Sequence, residues 1–375
     1  MQLASPDHHL ARHARLREDL RAASLDALLV TSPPNVAYLT GLFATAGAAV
    51  VSLDRVTLIV DGRYAAAAHA RRDAVAGLDV VTLPASGSFD QGISAVLVAC
   101  GYGRVGFEAG HMTVRQHRDL AARLAAAVPK TVMTPTEECV EQRRAVKDAW
   151  ELDTLREAGR RLSDAAKCII PKALAGRAER EVAAAIDAEL RRVGFDRPAF
   201  DTIVAAGPNA AMPHYRAGDR RLAAGDFVIL DFGGMWNGYA VDMTRTIAVG
   251  GPTDRQRRLL ERVAEAQHAA FDAVRVGTPA TDVDRAARDL LERDGLGEAF
   301  SHGTGHGLGL EVHERPRVAK YRPGLPPEPL LAGMVFTLEP GVYFDGWGGV
   351  RIEDDVVVTP DGAEWLTDVP REWPA

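Results

Sequence analysis

Four carboxylates and one imidazole stand where the surrounding sequence is otherwise apolar, and that set could hold divalent metal ions. Asp231 follows the run VIL, Asp242 follows YAV, Glu339 ends FTLEPG, and Glu353 sits inside VRIEDDVVV. The imidazole is His306, in SHGTGHGLGLEVHE, a segment that carries His302, His306 and His313 among four glycines. Taken singly, each residue is ordinary: two acids on a hairpin usually form a solvated face, and a lone histidine is usually structural. As a set they ask for a cation, because burying like charges together is costly unless something positive joins them. Four negative charges roughly balance two divalent ions, which take oxygen and imidazole ligands and can activate water for hydrolysis. With no thiolate and a single imidazole, Mn²⁺ or Co²⁺ is favoured over a zinc-only site; Zn²⁺ and Fe²⁺ are also compatible.

Such residues need strands to carry them. FVILDFGGMWNGYAVDMTRTIAV reads as two strands joined through Asn237 and Gly238, the dipeptide that supplies the positive φ angles of a type I′ turn. With that turn, Trp236 faces Tyr239 and Asp231 faces Thr244, which leaves Asp242 diagonal to Asp231 on the same sheet face. MVFTLEPGVYF and VRIEDDVVVT form a second strand pair around a glycine-rich turn at residues 345–349. Helices are expected near 148–170, 178–193, 252–275 and 281–293. Upstream, DALLVT, AAVVSL and VTLIVDG are short strand-like runs, and RYAAAAHARRD and VRQHRDLAARLAAAV are helix-like. The chain therefore reads as α/β (α+β), with an N-terminal domain over residues 1–143 and a catalytic domain over 144–375.

The 375 residues exceed what one core usually serves, and 47% hydrophobic with 25% charged residues is an ordinary globular composition. A net charge of −7, with no basic cluster free of interleaved acids, argues against nucleic-acid binding. Cys100, Cys139 and Cys168 are scattered and odd in number, so neither a disulfide framework nor a thiolate metal site is indicated. No segment has the apolar length of a signal peptide or a membrane span, and a cytoplasmic location is expected.

The motifs LDFGGMWNGYAVDMTRT, GTGHGLGLEVHE, TLEPGVY and VRIED resemble, in order, those of the metallopeptidase family that includes prolidase, aminopeptidase P and methionine aminopeptidase. PNAAMPHYR extends the resemblance upstream. NVAYLTGL and DGRY resemble the N-terminal domain of creatinase, prolidase and aminopeptidase P, which methionine aminopeptidase lacks. The resemblance implies a small creatinase/prolidase-like α/β domain followed by a pita-bread catalytic domain. It also implies two-metal hydrolysis of the Xaa-Pro bond in a peptide substrate, and a homodimer. Position by position, Asp231 is implied as a ligand of one metal, Asp242 and Glu353 as bridges, and His306 and Glu339 as ligands of the other. Glu339 is also implied as the proton shuttle, and His214 and His313 as catalytic, substrate-contacting histidines. His302 is implied as a third active-site histidine, with Thr244 and Arg351 orienting carboxylates.

HERPR resembles short prolidases, in which an arginine at the position of Arg317 binds the substrate's terminal carboxylate. Paired guanidinium donors suit that task. This favours a dipeptidase over an aminopeptidase P acting on longer Xaa-Pro peptides. Tyr215, Phe200 and Tyr343 are candidates for the proline pocket by proximity to the motifs. Two further readings stand against these: a creatinase-like, metal-free C–N hydrolase, and a silent binding protein on the same fold. The intact five-residue ligand set disfavours both.

Overall fold

Continuous Val- and Leu-rich runs in the first third of the chain build a sheet whose middle strands are buried on both faces. The structure, a computed structural model, describes residues 4–324 and 326–371. Its described residues divide into two compact units on either side of the Arg144–Ala145 boundary. The outer ends expected for the two domains, residues 1 and 375, lie outside the described residues.

In the first unit, β1 (Ala27–Val30), β2 (Ala48–Ser52), β3 (Val56–Val60), β4 (Leu78–Thr82), β5 (Arg104–Glu108) and β6 (Val132–Thr136) lie in the order β4-β3-β2-β1-β5-β6. The sheet is mixed: β1 runs antiparallel to β2 and parallel to β5. Every residue of β1, β2 and β3 is buried, which is why these strands read as apolar runs with no alternation. Six helices accompany them: α1 (Pro6–Ala22), α2 (Pro33–Thr40), α3 (Ala65–Ala74), α4 (Phe89–Cys100), α5 (Val114–Ala127) and α6 (Cys139–Ala145). Capping boxes start α4 (Ser88 with Gln91) and α5 (Thr113 with Gln116), satisfying backbone N–H groups that a helix start leaves open.

The second unit opens with α7 (Ala149–Ile169) and α8 (Glu179–Arg192), then β7 (Arg197–Pro198) and β8 (Ile203–Ala206). The long hairpin follows as β9 (Phe227–Trp236) and β10 (Tyr239–Ala248). Asn237 and Gly238 have φ of 50° and 86°, and the register pairs Trp236 with Tyr239, Asp231 with Thr244 and Gly233 with Asp242. Asp231 and Asp242 thus share a face, as the turn chemistry requires. Leu155 and Leu162 of α7 and Ile186 and Leu190 of α8 pack with Val228, Leu230, Val241 and Met243 of the hairpin in one core.

After α9 (Asp254–Ala273) and α10 (Ala280–Arg293) come β11 (Gly305–Gly307), β12 (Glu314–Val318), β13 (Val335–Leu338), β14 (Gly341–Phe344), β15 (Gly348–Arg351), β16 (Asp354–Thr359) and β17 (Gly362–Trp365). The order β12-β11-β13-β16-β17 makes one sheet, while β14 and β15 pair by themselves. The expected pair of long strands is therefore two pairs. Pro340 has no N–H to give to a ladder and ends β13; opposite, the chain breaks at Ile352 and Glu353 before β16. The turn is also shorter than expected, since Phe344 pairs with Gly348 and Gly349 lies within β15. Val263, Val283 and Leu291 of α9 and α10 pack with Phe336, Leu338, Val350 and Val356 in the second core of this unit. No helix of the described residues is long and apolar enough to cross a membrane.

Candidate metal centre

The breaks after β13 and β15 place carboxylates at strand ends facing the hairpin. Glu353 forms an isolated bridge with Thr244, its N–H donating to the Thr244 carbonyl at 3.1 Å, and so lies beside Asp242 on the β10 face. One ligand atom each from Asp242, His306 and Glu353 lie within 4.8 Å of one another. Glu339 joins them, with Oε1 3.6 Å from His306 Nε2. Asp231 and all four of these residues line one cavity of about 1020 Å³, together with His214, His302, His313, Arg317 and Arg351.

The glycines around His306 have a physical cause. A Cβ at Gly305 would lie 1.8 Å from the Thr337 carbonyl oxygen, and one at Gly307 would lie 2.0 Å from that of Arg315. Only glycine lets β11 sit this close between β13 and β12. His306 N–H donates to Thr337 Oγ1 at 3.1 Å, and the His306 and His313 rings lie 4.1 Å apart.

Behind the carboxylates runs a chain of hydrogen bonds. Arg351 donates to Asp231 Oδ2 at 2.5 Å, to Thr244 Oγ1 at 3.2 Å and to the Tyr343 hydroxyl at 2.8 Å. Thr244 Oγ1 donates in turn to Glu353 Oε2 at 2.6 Å. Tyr343 Oη lies 2.9 Å from His302 Nε2. The Tyr343 hydroxyl is thus spent on this network, while Tyr215 and Phe200 are the aromatic candidates that line the cavity.

Electrostatics at the centre favour an added cation. Burial, then the neighbouring carboxylates Asp231, Asp355 and Glu339, pushes the Asp242 carboxyl well above the usual carboxylate range. Glu353 is raised well above its ordinary value by burial, Asp242, Glu339 and Asp231. Glu339 is raised by burial too, against the pull of His302 and Arg351. Burial works against the charge of Arg351, but Tyr343, Asp231, Glu339 and Glu353 hold its proton firmly. Burial lowers His302 and His306, and burial with His306 and His214 nearby brings His313 to about 4. Tyr343 is pushed up to about 12 by burial. One oxygen each of Asp231 and Asp242 is buried without a hydrogen-bond partner. Buried polar atoms are seldom left so, and a divalent ion bound by such oxygens removes both the missing partner and the repulsion. The residues present fit a metal centre.

Other residues in this arrangement carried no signal in the sequence. Asp355 Oδ2 accepts the Asp242 N–H at 2.9 Å, which anchors that acid's backbone. Glu179 accepts from the N–H groups of Ala206 and Gly218 and from Asn209, pinning both ends of the loop that bears His214. Buried Lys147 pairs with Glu314, next to His313, at 2.8 Å. Each lies outside the motifs or reads as a surface charge, and only folding brings it to the site.

Carboxylates and a histidine converging on one cavity mark the second unit as one that can hold a metal. Residues 153–360 match the family model of metallopeptidase family M24, and residues 12–146 match that of the creatinase/prolidase N-terminal domain. The chain belongs to metallopeptidase family M24. It is 41% identical over 236 residues to an Xaa-Pro dipeptidase of Pyrococcus furiosus, covering 63% of this chain and 67% of that protein. Among solved structures it is similar to an Xaa-Pro dipeptidase from Bacillus anthracis, with a TM-score of 0.89 and 34% identity over 97% of this chain and 99% of that one. It is likewise similar to an X-Pro aminopeptidase from Thermotoga maritima, with a TM-score of 0.86 and 30% identity over 96% and 98% of the two chains.

Proposed function

We propose that this metallopeptidase hydrolyses Xaa-Pro dipeptides, using two divalent ions held by Asp231, Asp242, His306, Glu339 and Glu353. The observation that carries the reading is the pair of buried, unpartnered carboxylate oxygens on Asp231 and Asp242, in the cavity shared with His306, Glu339 and Glu353. Similarity to the two Xaa-Pro dipeptidases supports the substrate class. Asp231 would be a ligand of one ion, Asp242 and Glu353 would be shared by both, and His306 and Glu339 would be ligands of the other. When bound, such ions would supply polarisation of a carbonyl and a more acidic water.

The chain's own groups do the rest. Glu339, whose carboxyl is raised by burial, is suited to take a proton from water and deliver it to the leaving proline nitrogen. Like any amide nitrogen it must be protonated to leave, and in an Xaa-Pro bond it bears no hydrogen of its own. His313, held neutral near pH 7 by its low pKa, keeps one N–H to donate to the developing oxyanion, and His214 contacts the substrate beside it. His302, fixed against Tyr343, faces the same space. Thr244 and Arg351 orient Glu353 and Asp231. Arg317 receives the proline carboxylate.

Mn²⁺ or Co²⁺ suits this oxygen-rich set with one imidazole better than Zn²⁺ or Fe²⁺. Turnover of an Xaa-Pro dipeptide and an Xaa-Pro tripeptide, compared across Mn²⁺, Co²⁺ and Zn²⁺ with metal content determined, tests the reading. Preference for the dipeptide supports it; preference for the tripeptide selects the aminopeptidase P reading, which similarity to the Thermotoga maritima enzyme keeps in view. We assign the chain to the cytoplasm, in keeping with three free cysteines, and to a homodimer. Light scattering that gave the mass of a single 40.3 kDa chain at micromolar concentration would refute the dimer.

A further inference from the structure

We infer that Asp284 and Arg288, one turn apart on α10 and absent from the cavity wall, are positioning residues for His302 and Glu339. The inference rests on the hydrolytic reading of this centre given above. Residues 300–304 belong to no helix or strand, yet they carry His302 into the cavity and lead into β11 with His306. A segment without regular structure must have its backbone groups satisfied from elsewhere, and here α10 supplies the partners of the Phe300 and His302 carbonyls and of the Thr304 N–H.

Arg288 Nε and one terminal nitrogen grip both oxygens of Asp284 at 3.0 Å. The other terminal nitrogen donates to the Phe300 carbonyl at 3.0 Å, and the first also reaches the His302 carbonyl at 2.7 Å. Asp284 Oδ1 accepts from both the N–H and the hydroxyl of Thr304, at 3.0 and 2.9 Å. The Thr304 carbonyl then accepts the N–H of Glu339 at 2.7 Å. One buried pair therefore holds three of five loop residues, and its reach extends through Thr304 to the backbone of the proposed proton shuttle.

Packing repeats the same connection. The Arg288 guanidinium lies 4.0 Å from the centre of the Phe300 ring, which packs at right angles to the His302 ring with 5.2 Å between ring centres. Asp284 and Arg288 are 1% and 5% exposed, so their hydrogen bonds face little competition from water. A forked guanidinium serves several carbonyls at fixed angles, which a lysine ammonium cannot reproduce. Fold stability alone does not call for charges here, since buried ion pairs can often be replaced by apolar groups without loss. The geometry of the loop does call for them.

The test compares Arg288→Lys, Asp284→Asn and Thr304→Val with the unaltered full-length enzyme. In Arg288→Lys and Asp284→Asn, kcat should fall by about 10- to 100-fold, the range that small misplacements remote from the chemistry produce. KM should change less than about threefold if only transition-state alignment is lost, and metal content should stay unaltered. Thr304→Val removes a single hydroxyl and leaves the helix pair in place, so it folds even if the other two do not, and it should lose several-fold in kcat. Hydrogen-exchange protection of amides 300–304 and 339 should drop in all three variants, including in metal-free protein. Unchanged kcat and protection in Thr304→Val, or loss of metal in step with activity in a folded Arg288→Lys, would overturn the inference. An unaltered enzyme inert toward Xaa-Pro peptides would instead refute the proposed function, while the exchange measurement still reads the brace.

Discussion

Arg317→Ala separates a dipeptidase from an enzyme for longer peptides. Arg317 lies on β12 opposite His306 of β11, lines the cavity, and is engaged by no hydrogen bond or ion pair among the described residues. A guanidinium left uncommitted beside the reacting centre is available to a substrate carboxylate. In an Xaa-Pro dipeptide that carboxylate belongs to the proline itself; in a tripeptide its place is taken by a neutral amide. A charge-assisted hydrogen bond contributes about 1.5 to 3 kcal/mol. Arg317 is exposed, so water competes for it and the lower end applies: about 1.5 kcal/mol, or roughly tenfold in kcat/KM. Initial rates with Xaa-Pro and Xaa-Pro-Xaa peptides sharing the same first residue should show that loss for the dipeptide and little change for the tripeptide. Equal losses on both substrates would show that Arg317 merely supports the strand, and a gain on the dipeptide would remove it from substrate binding.

Asp242→Ala removes a proposed bridging ligand and should abolish turnover while lowering metal content; full activity would refute the ligand assignment. His313→Ala should retain its metal and lose about 10² to 10³ in kcat, as removal of a preorganised donor does; unchanged kcat, or loss of both metals, would show the role to be wrong. The first unit should be acid-labile, because burial holds His9 at about 3 and His13 at about 4, with His13 Nε2–H donating to the Leu39 carbonyl. Both are neutral when folded and take up protons near 6.5 when unfolded, so their stabilising effect is complete above that pH and is lost progressively as pH falls toward 4 and 3. Each contributes on the order of 3 kcal/mol or more across that window. Denaturant titrations at stepped pH should show the decline, and His13→Leu should flatten it; an unaltered slope in that variant would refute the assignment.

The hairpin and its two acids were legible because the evidence is local: Asn237-Gly238 fixes the turn, and the period of two then fixes which residues face Asp231. Helices α7 to α10 were legible for the same reason, since an amphipathic period is written in neighbouring residues. The division of MVFTLEPGVYF and VRIEDDVVVT into four strands was not, although Pro340 marks one break; the other depends on Glu353 turning toward Thr244 of a strand more than a hundred residues away. Tyr343 shows the limit for side chains. Its place beside the motifs suggested a pocket wall, but Arg351 and His302 arrive from other elements and take its hydroxyl. Asp284 and Arg288, four residues apart on α10, have nothing in their local sequence that separates them from an exposed i, i+4 pair. The sequence marked which residues could hold metal, because their chemical types and apolar flanks are local properties. Only the tertiary structure decided which side chains hold those residues still, because a brace is a relation between distant segments whose hydrogen bonds exist only once the loop has folded against the helix.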